Sequence, residues 1–392
     1  MLRFKGGIHP DEHNYTAKSE IIDITPPSFV SISLCGQKPI VAVGDWISVG
    51  DPLCENNRAH SSVSGKITEI KNNRVIIESD GYMTKSIALR PFSKKLTDAT
   101  KEDLISHISR LGIESEGMPL IEIMNNNAEG KILLVSCSEN EPFLCSEHRI
   151  ALEYTKELLL GSKILMKAMS LKKIVFTVNK NYRELYKKLR AVTAALPYAD
   201  VEKHSSKHPA DKKEILIRSY AAAHIKEAVH LSRESFVYCR PSVCTAVFEG
   251  FRYGTPIVNR VITVDGDCIL KPANFRVPIG CSIEHVLKES SAVCNEKTVL
   301  ICGGPITGCV VAPDSYVEKS DHGLIALGDK YTSHKVLSCI SCGSCHKVCP
   351  VGLYPMRFLE GNTEGLTKCI KCGSCSYACP AKLEFNLEGE VK

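Results

Sequence analysis

Residues 339–350 read CISCGSCHKVCP and residues 369–380 read CIKCGSCSYACP. Four cysteines in C-x2-C-x2-C-x3-C spacing, closed by a proline, are thus written twice. Three cysteines two residues apart wrap a tight loop round three corners of an iron–sulfur cubane. The fourth, a helical turn further on and just before a proline, points away from that loop. In two-cluster ferredoxin modules this fourth cysteine ligates the other cluster, so neither repeat completes a cluster alone. The spacing assigns Cys339, Cys342, Cys345 and Cys379 to one [4Fe–4S] cluster, and Cys369, Cys372, Cys375 and Cys349 to the other. Gly343 and Gly373 let the backbone turn close to the inorganic core. A zinc site would pair two C-x2-C units without a third cysteine in step or the terminal Cys-Pro. The module reads as an electron wire.

The other cysteines fit this reading. Of 19 in the chain, those outside the repeats are scattered, which points to metal rather than to a disulfide framework. Cys137 and Cys145 flank SENEPFL, and Cys239 and Cys244 form C-x4-C. With no third or fourth partner nearby, they read as small buried hydrophobes. Arg240, beside Pro241, reads as a solvated side chain. A net charge of +5 makes no demand for nucleic acid, and leaves room for a patch facing an acidic protein partner. The start, MLRFKGGIHPDE, lacks a signal peptide's apolar core, and no run of about 18 apolar residues occurs. The expected setting is cytoplasmic, with no membrane span and any membrane association made through a partner.

Texture along the chain predicts a multidomain protein, part α+β and part α/β. Residues 1–90 carry turn signals and short β-rich runs, such as VAVGDWISVGDPLC, read as three strands joined by Gly-Asp turns, then HSSVSGKITEI and RVIIESD. This suggests a small β-sandwich. From Lys131 strands and helices alternate. KILLVS, KKIVFTV and EILIRSY read as strands, while residues 147–169 and 181–196 have helical periodicity. That alternation implies a parallel sheet with helical crossovers, and a cofactor would sit at the C-terminal strand ends. Residues 235–320 return to short strands with one helix.

Several motifs then occur in a known order. They are FKGGIHP, VAVGDWISVGDPL with HSSVSGKI, ENEP at 139–142, PIVNRVITVDGDCILKPANFRVPIG, GGPITG and the two cysteine repeats. In this the chain resembles the RnfC-like family of electron-transport complex components, which is related to the flavin-bearing, NADH-binding subunit of respiratory complex I. The resemblance covers essentially the whole chain. It implies a lipoyl-like barrel-sandwich domain at 1–95, a Rossmann-like domain related to flavin/NADH-binding domains at 96–232, a β-grasp domain of the soluble-ligand-binding type at 233–325 and a two-cluster ferredoxin-like domain at 326–392. It also implies FMN and NADH as further cofactors, redox proteins as partners, and Glu139 and Glu141 as remnants of the flavin/NADH site. Lys66 follows Gly65 and is not placed as a lipoyl lysine would be, so no lipoylation is expected.

The chain departs from the family where the flavin would bind. A glycine-rich G-x-G-G-A-G-F-P-T loop is expected ahead of the first Rossmann strand, where backbone N–H groups approach the phosphate. Here that place reads RLGIESEGMPLIEI. Only Gly112, Gly117 and Pro119 remain, and Glu114 and Glu116 bring charge that would repel a phosphate by on the order of several kcal/mol in a poorly solvated pocket. Ser136 stands where the family has Asn, and PADKKEIL replaces Gly-Gly-Glu-Lys-Gln. Two readings follow. The favoured one is a relay that has lost flavin and passes electrons through two clusters to a partner oxidoreductase. RnfC-like relatives of this kind include the electron-transfer protein of proline reductase systems in amino-acid-fermenting anaerobes. The alternative is an NADH-oxidising, FMN-dependent component of an Rnf-type complex.

Overall fold

The computed structural model describes residues 1–126, 131–224, 235–329 and 335–385. Strand β1 (Ile21–Asp23) leaves the N-terminal unit and pairs in parallel with Ala273–Pro278, far along the chain. Strands β2 (Phe29–Ser33), β3 (Trp46–Ile47), β4 (Gly65–Lys71) and β5 (Arg74–Ser79) form an antiparallel sheet ordered β2-β5-β4-β3. Asn72 and Asn73 turn β4 into β5 with φ of 49° and 60°, the left-handed pair that suits a two-residue hairpin. Val30, Ile32, Val75 and Ile77 alternate inward over Leu34, Leu53, Val63 and Ile67. Of the three strands expected in VAVGDWISVGDPLC, only the two-residue β3 forms. The Gly-Asp pairs make turns held by Asp45, which accepts from the Ala42 N–H, and by Asp51, which accepts from Ser48.

Helix α1 (Lys101–Ile108) starts at a capping box. The Thr100 hydroxyl accepts from the Asp103 N–H at 3.1 Å, and Asp103 accepts from the Thr100 N–H at 3.0 Å. Between α1 and α2 (Leu120–Asn126) lies a small hairpin, β6 (Glu114–Ser115) and β7 (Met118–Pro119).

Strands β8 (Ile132–Ser136), β9 (Lys173–Asn179), β10 (Ala199–His204) and β11 (Phe236–Cys239) form an all-parallel sheet ordered β10-β9-β8-β11. The apolar runs of β8, β9 and β11 are buried on both faces, as a helix-covered parallel sheet requires, while the edge strand β10 alternates buried and half-buried residues. The helix expected over 147–169 is two, α3 (Ser146–Glu153) and α4 (Thr155–Ala168). They break at Tyr154 (φ −106°, ψ 40°), whose hydroxyl accepts from Arg276 at 2.7 Å. Helix α5 (Arg183–Thr193) leads to β10.

EILIRSY is not a strand. It lies in helix α6 (Lys213–Ala223), and the third strand is β10. A short apolar run carries no period of its own; the following Ala-Ala-Ala extends it to helical length. The junction expected at 232/233 lies outside the described residues. Beyond it, β11 still pairs with β8, and α7 (Pro241–Tyr253) packs on α4. A Cβ on Gly161 would lie 1.8 Å from the Cys244 carbonyl oxygen, so the two helix backbones meet there. Both elements, read from sequence as part of the third unit, belong to this sheet.

The third sheet takes β1, β12 (Asn259–Asp265), β13 (Ala273–Pro278), β14 (Val299–Cys302), β15 (Cys309–Val311) and β16 (Gly323–Leu327), ordered β1-β13-β12-β16-β14-β15. Helix α8 (Ile283–Glu289) covers it, with Ser282 accepting from the His285 N–H. The cysteine repeats form α9 (Ser344–Val348), α10 (Pro355–Leu359) and α11 (Ser374–Tyr377). Among the described residues no helix is long and apolar enough to cross a membrane.

Three buried groups make stability depend on pH. Burial, followed by nearby Lys319, lowers His60 to about 3; burial, followed by Arg149, lowers His148 to about 3. Burial raises Asp265 to about 6. Each histidine contributes stability above about 6.5 that is lost as pH falls towards 3, because only the unfolded chain takes up the proton. Asp265 acts oppositely, costing stability as pH rises from about 4 through 6. Two histidines outweigh one aspartate, so these three groups together favour pH 7 over pH 5 by about 2–3 kcal/mol. In denaturant unfolding followed by circular dichroism, His60→Gln/His148→Gln should lose less stability than the parent between pH 7 and pH 5; an equal loss would contradict the assignment.

Candidate metal centre and the cavity beside it

The two cysteine repeats fold alike. Ser341 and Gly343 have φ of 55° and 71°, and Lys371 and Gly373 have 49° and 68°. These left-handed residues curl each loop so that its first cysteine receives a backbone N–H. Ser341 donates to Cys339 Sγ and Lys371 to Cys369 Sγ, both at 3.4 Å. Cys342 Sγ and Cys372 Sγ each lie 3.4 Å from the hydroxyl of the serine two residues on. Leu353 N–H reaches Cys349 Sγ at 3.2 Å. Such hydrogen bonds to sulfur set the potential of a bound cluster.

Chain folding crosses the repeats over. Cys379 lines one hollow with Cys339, Cys342 and Cys345, backed by Met356 and Phe385. Cys349 lines another with Cys369, Cys372 and Cys375, within a cavity of about 860 Å³. Among the described residues no three such side chains converge as round a single ion. Each quartet faces a space, which is what a multi-atom core needs. Cys345, Cys372 and Cys379 are buried, whereas Cys339 and Cys342 are exposed.

Side chains and backbone of the parallel-sheet unit grip the second quartet. His208 Nε2 donates to the Cys372 carbonyl at 2.7 Å, and Lys212 Nζ to that of Lys371 at 3.4 Å. The N-terminal FKGG segment straps the same place. Gly7 N–H donates to the Val348 carbonyl at 2.8 Å, Lys207 Nζ donates to the Gly6 carbonyl at 2.6 Å, and a Cβ on Gly6 would lie 2.8 Å from the Cys349 carbonyl oxygen. Sequence reasoning took FKGG only as a family signature; its role as a strap shows only in tertiary contact.

Behind this grip, past the ends of β8 and β11, lies a cavity of about 450 Å³. Its walls include Glu139, Glu141, Glu147, Asp211, Arg240 and Arg260. The expected phosphate loop is the β6–β7 hairpin, turned by Glu116 (φ 51°) and Gly117 (φ 75°). Arg240 is not solvated: its guanidinium lies 3.4 Å from Asp211 and 3.7 Å from Glu116. Burial opposes its charge, but Tyr238, Asp211, Glu116 and Glu147 together hold it well above the ordinary arginine value.

Helix N-termini here could have taken an anion, but carboxylates of the chain fill them. Glu139 accepts from the N–H groups of Glu147 at 2.6 Å and His148 at 3.2 Å, the open end of α3. Glu147, itself on α3, accepts from the Ser242 N–H at 2.9 Å, the open end of α7, and from Arg260 at 3.0 Å. Burial, followed by Glu147, raises Glu139 above the usual carboxyl range. Glu141 accepts from the Ile306 and Thr307 N–H groups at 2.7 and 2.6 Å and clips the GGPITG loop in place. Both candidate flavin/NADH residues are therefore engaged with backbone of their own chain. Cys137, Cys145, Cys239 and Cys244 are fully buried, and burial raises all four thiols, Cys244 to about 12.

Comparison with known proteins agrees with this layout. The model of the RnfC barrel sandwich hybrid domain matches residues 2–91, that of the Nuo51 FMN-binding domain residues 105–237, and that of the 4Fe-4S dicluster domain residues 332–380. In the content and order of its domains the chain is similar to the RnfC-like family. The C component of the ion-translocating oxidoreductase complex of Rhodobacter capsulatus is 27% identical, over 93% of this chain and 76% of its own. Two further relatives are the C components of the proton-translocating ferredoxin:NAD(+) oxidoreductase complex of Clostridium ljungdahlii and of the Na(+)-translocating complex of Acetobacterium woodii. They are 25% and 26% identical, each over 91% of this chain and over 83% and 86% of their own. Chains of an NAD+-reducing [NiFe]-hydrogenase, air-oxidised and H2-reduced, share the fold at TM-scores of 0.50 and 0.51 with 12% and 13% identity. They match 73% and 76% of this chain, which spans 60% and 66% of theirs. This RnfC-like chain is an electron-transport protein with a 4Fe–4S dicluster domain and a domain of the FMN-binding type. The residues round its cavity do not fit a flavin phosphate, because the hairpin standing where a glycine-rich loop would cradle it brings Glu114 and Glu116 to the cavity wall.

Proposed function

We propose that this RnfC-like chain is a flavin-free relay. It takes electrons one at a time from one redox protein and hands them to another, through clusters held by the two cysteine quartets. The observation that carries this is the β6–β7 hairpin, which stands in place of a glycine-rich loop and sets Glu114 and Glu116 on the wall of the cavity where backbone N–H groups would have to meet a phosphate. Clusters at these cysteines would supply one-electron transfer; the chain holds them, shields them from water and tunes them through N–H···S bonds.

The partner face lies at the first quartet. Exposed Val336, Leu337 and Ile340 surround the exposed Cys339 and Cys342. From Lys335 to Leu359 the chain has Lys335, Lys347 and Arg357 and no carboxylate, so this face suits an acidic redox protein. The acceptor is a partner oxidoreductase, with a proline reductase system as one soluble candidate. The relatives' names make an Rnf-type ion-translocating complex the other candidate, and a membrane role of that kind would run through the partner.

Acid extraction of anaerobically purified protein tests the reading. No fluorescent flavin should be released, before or after incubation with FMN. Stoichiometric release would restore the NADH-oxidising alternative.

A further inference from the structure

Cys302 and Cys309 lie opposite one another at the foot of the GGPITG hairpin, as register partners on antiparallel β14 and β15. Register partners in such a pair sit about 4.5–5.5 Å apart at Cα, inside the range of about 4.4–6.8 Å that a disulfide spans. Their side chains share one face of the sheet, and both are free thiols. Cys309, on the edge strand, is exposed, while Cys302 is half-buried. Burial pushes the Cys302 thiol up first, with Asp321 and Cys309 adding to it.

The loop they close reaches the metal centre. A Cβ on Gly373, inside the second cysteine loop, would lie 2.5 Å from the Ile306 carbonyl oxygen. Thr307 is held by Glu141, and Ile306 and Thr307 form the wall facing Cys349, Cys369, Cys372 and Cys375. Among the described residues this is the cysteine pair that both faces solvent and closes a loop on the cluster cavity.

We infer that Cys302 and Cys309 form a redox-active dithiol, the two-electron station of the relay. This rests on the relay reading above. Its step is disulfide plus two electrons plus two protons giving two thiols: the S–S bond breaks, each sulfur gains a hydrogen, and the electrons are drawn one from each of the two reduced clusters. In the reverse direction an external disulfide is attacked by the exposed Cys309 thiolate, and Cys302 resolves the mixed disulfide. The pair would convert one-electron traffic into thiol chemistry at the protein surface.

The test uses the full chain with its iron. Protein treated anaerobically with oxidised glutathione, then alkylated and digested, should yield peptide 298–319 unalkylated and two hydrogens lighter. Two alkyl groups on that peptide, or a lasting glutathione adduct on Cys309, would overturn the proposal. The oxidised protein is then given reduced methyl viologen and quenched at intervals. The disulfide should reopen at least about tenfold faster in the parent than in Cys342→Ala/Cys372→Ala or in parent protein stripped of iron by a chelator. Equal rates would sever the dithiol from the clusters. Iron content and the visible spectrum report separately on the relay reading, so its failure is not confused with failure of the dithiol.

Discussion

Cys342→Ala and Cys379→Ala should each lower iron from about eight per chain to about four, and the double variant should lose no more than either alone. These cysteines come from different repeats yet line one hollow. Combining Cys342→Ala with Cys349→Ala, by contrast, should empty both sites. Were each repeat to hold its own cluster, the outcomes would reverse: Cys342 with Cys349 would leave about four irons, and Cys342 with Cys379 none. Iron and sulfide assays with an electron paramagnetic resonance spectrum of the reduced protein decide between the two. The experiment separates crossed from local ligation without relying on activity.

Glu147→Ala should be the most destabilising change outside the metal centre. The side chain is buried, as is its partner Arg260 at 3.0 Å, and it also accepts from the N–H and hydroxyl of Ser242. Removing it strands a buried guanidinium and an open helix end, and loss of one partner of a buried pair costs about 3–5 kcal/mol. Denaturant titration should show that loss. Glu147→Gln keeps a hydrogen-bond acceptor and should lose visibly less. Equal effects would mean that charge, rather than capping, governs the site. A variant as stable as the parent would remove the basis for calling the helix ends filled.

How much of this could be read from the chain divides by sequence distance. Cluster ligation lies in short-range spacing, and the paired loops with left-handed Ser341, Gly343, Lys371 and Gly373 follow from the two repeats. The parallel unit was legible because ILLV and IVFTV are too apolar for a half-exposed strand. EILIRSY misled because seven residues with no polar alternation look alike in strand and helix. The capping relay runs from Glu139 to α3 and from Glu147 to Ser242, and the second link crosses nearly a hundred positions. Nothing local marks it. Arg240 likewise read as solvated because its neutralising carboxylates, Asp211 and Glu116, lie on other elements. Strand β1 crosses to the third sheet for the same kind of reason: its partner β13 is known only once the chain has folded.

On the relay reading, charge compensation takes the place of a bound phosphate. Glu114 lies 3.3 Å from Arg58 and 3.7 Å from Lys319, and Lys319 also donates to the Gly112 carbonyl at 2.8 Å. Glu114 and Glu116, which sequence reasoning placed against a phosphate, thus serve as internal anions that pair Arg58, Lys319 and Arg240. The same scaffold orients His208 and the FKGG strap against the second quartet.

The central claim is tested most directly by the visible spectrum of anaerobically purified protein, recorded before and after NADH and then after dithionite. A relay without flavin predicts that NADH leaves the broad iron–sulfur absorption unchanged and that dithionite bleaches it. Prompt bleaching by NADH would show a working nucleotide site and contradict the account.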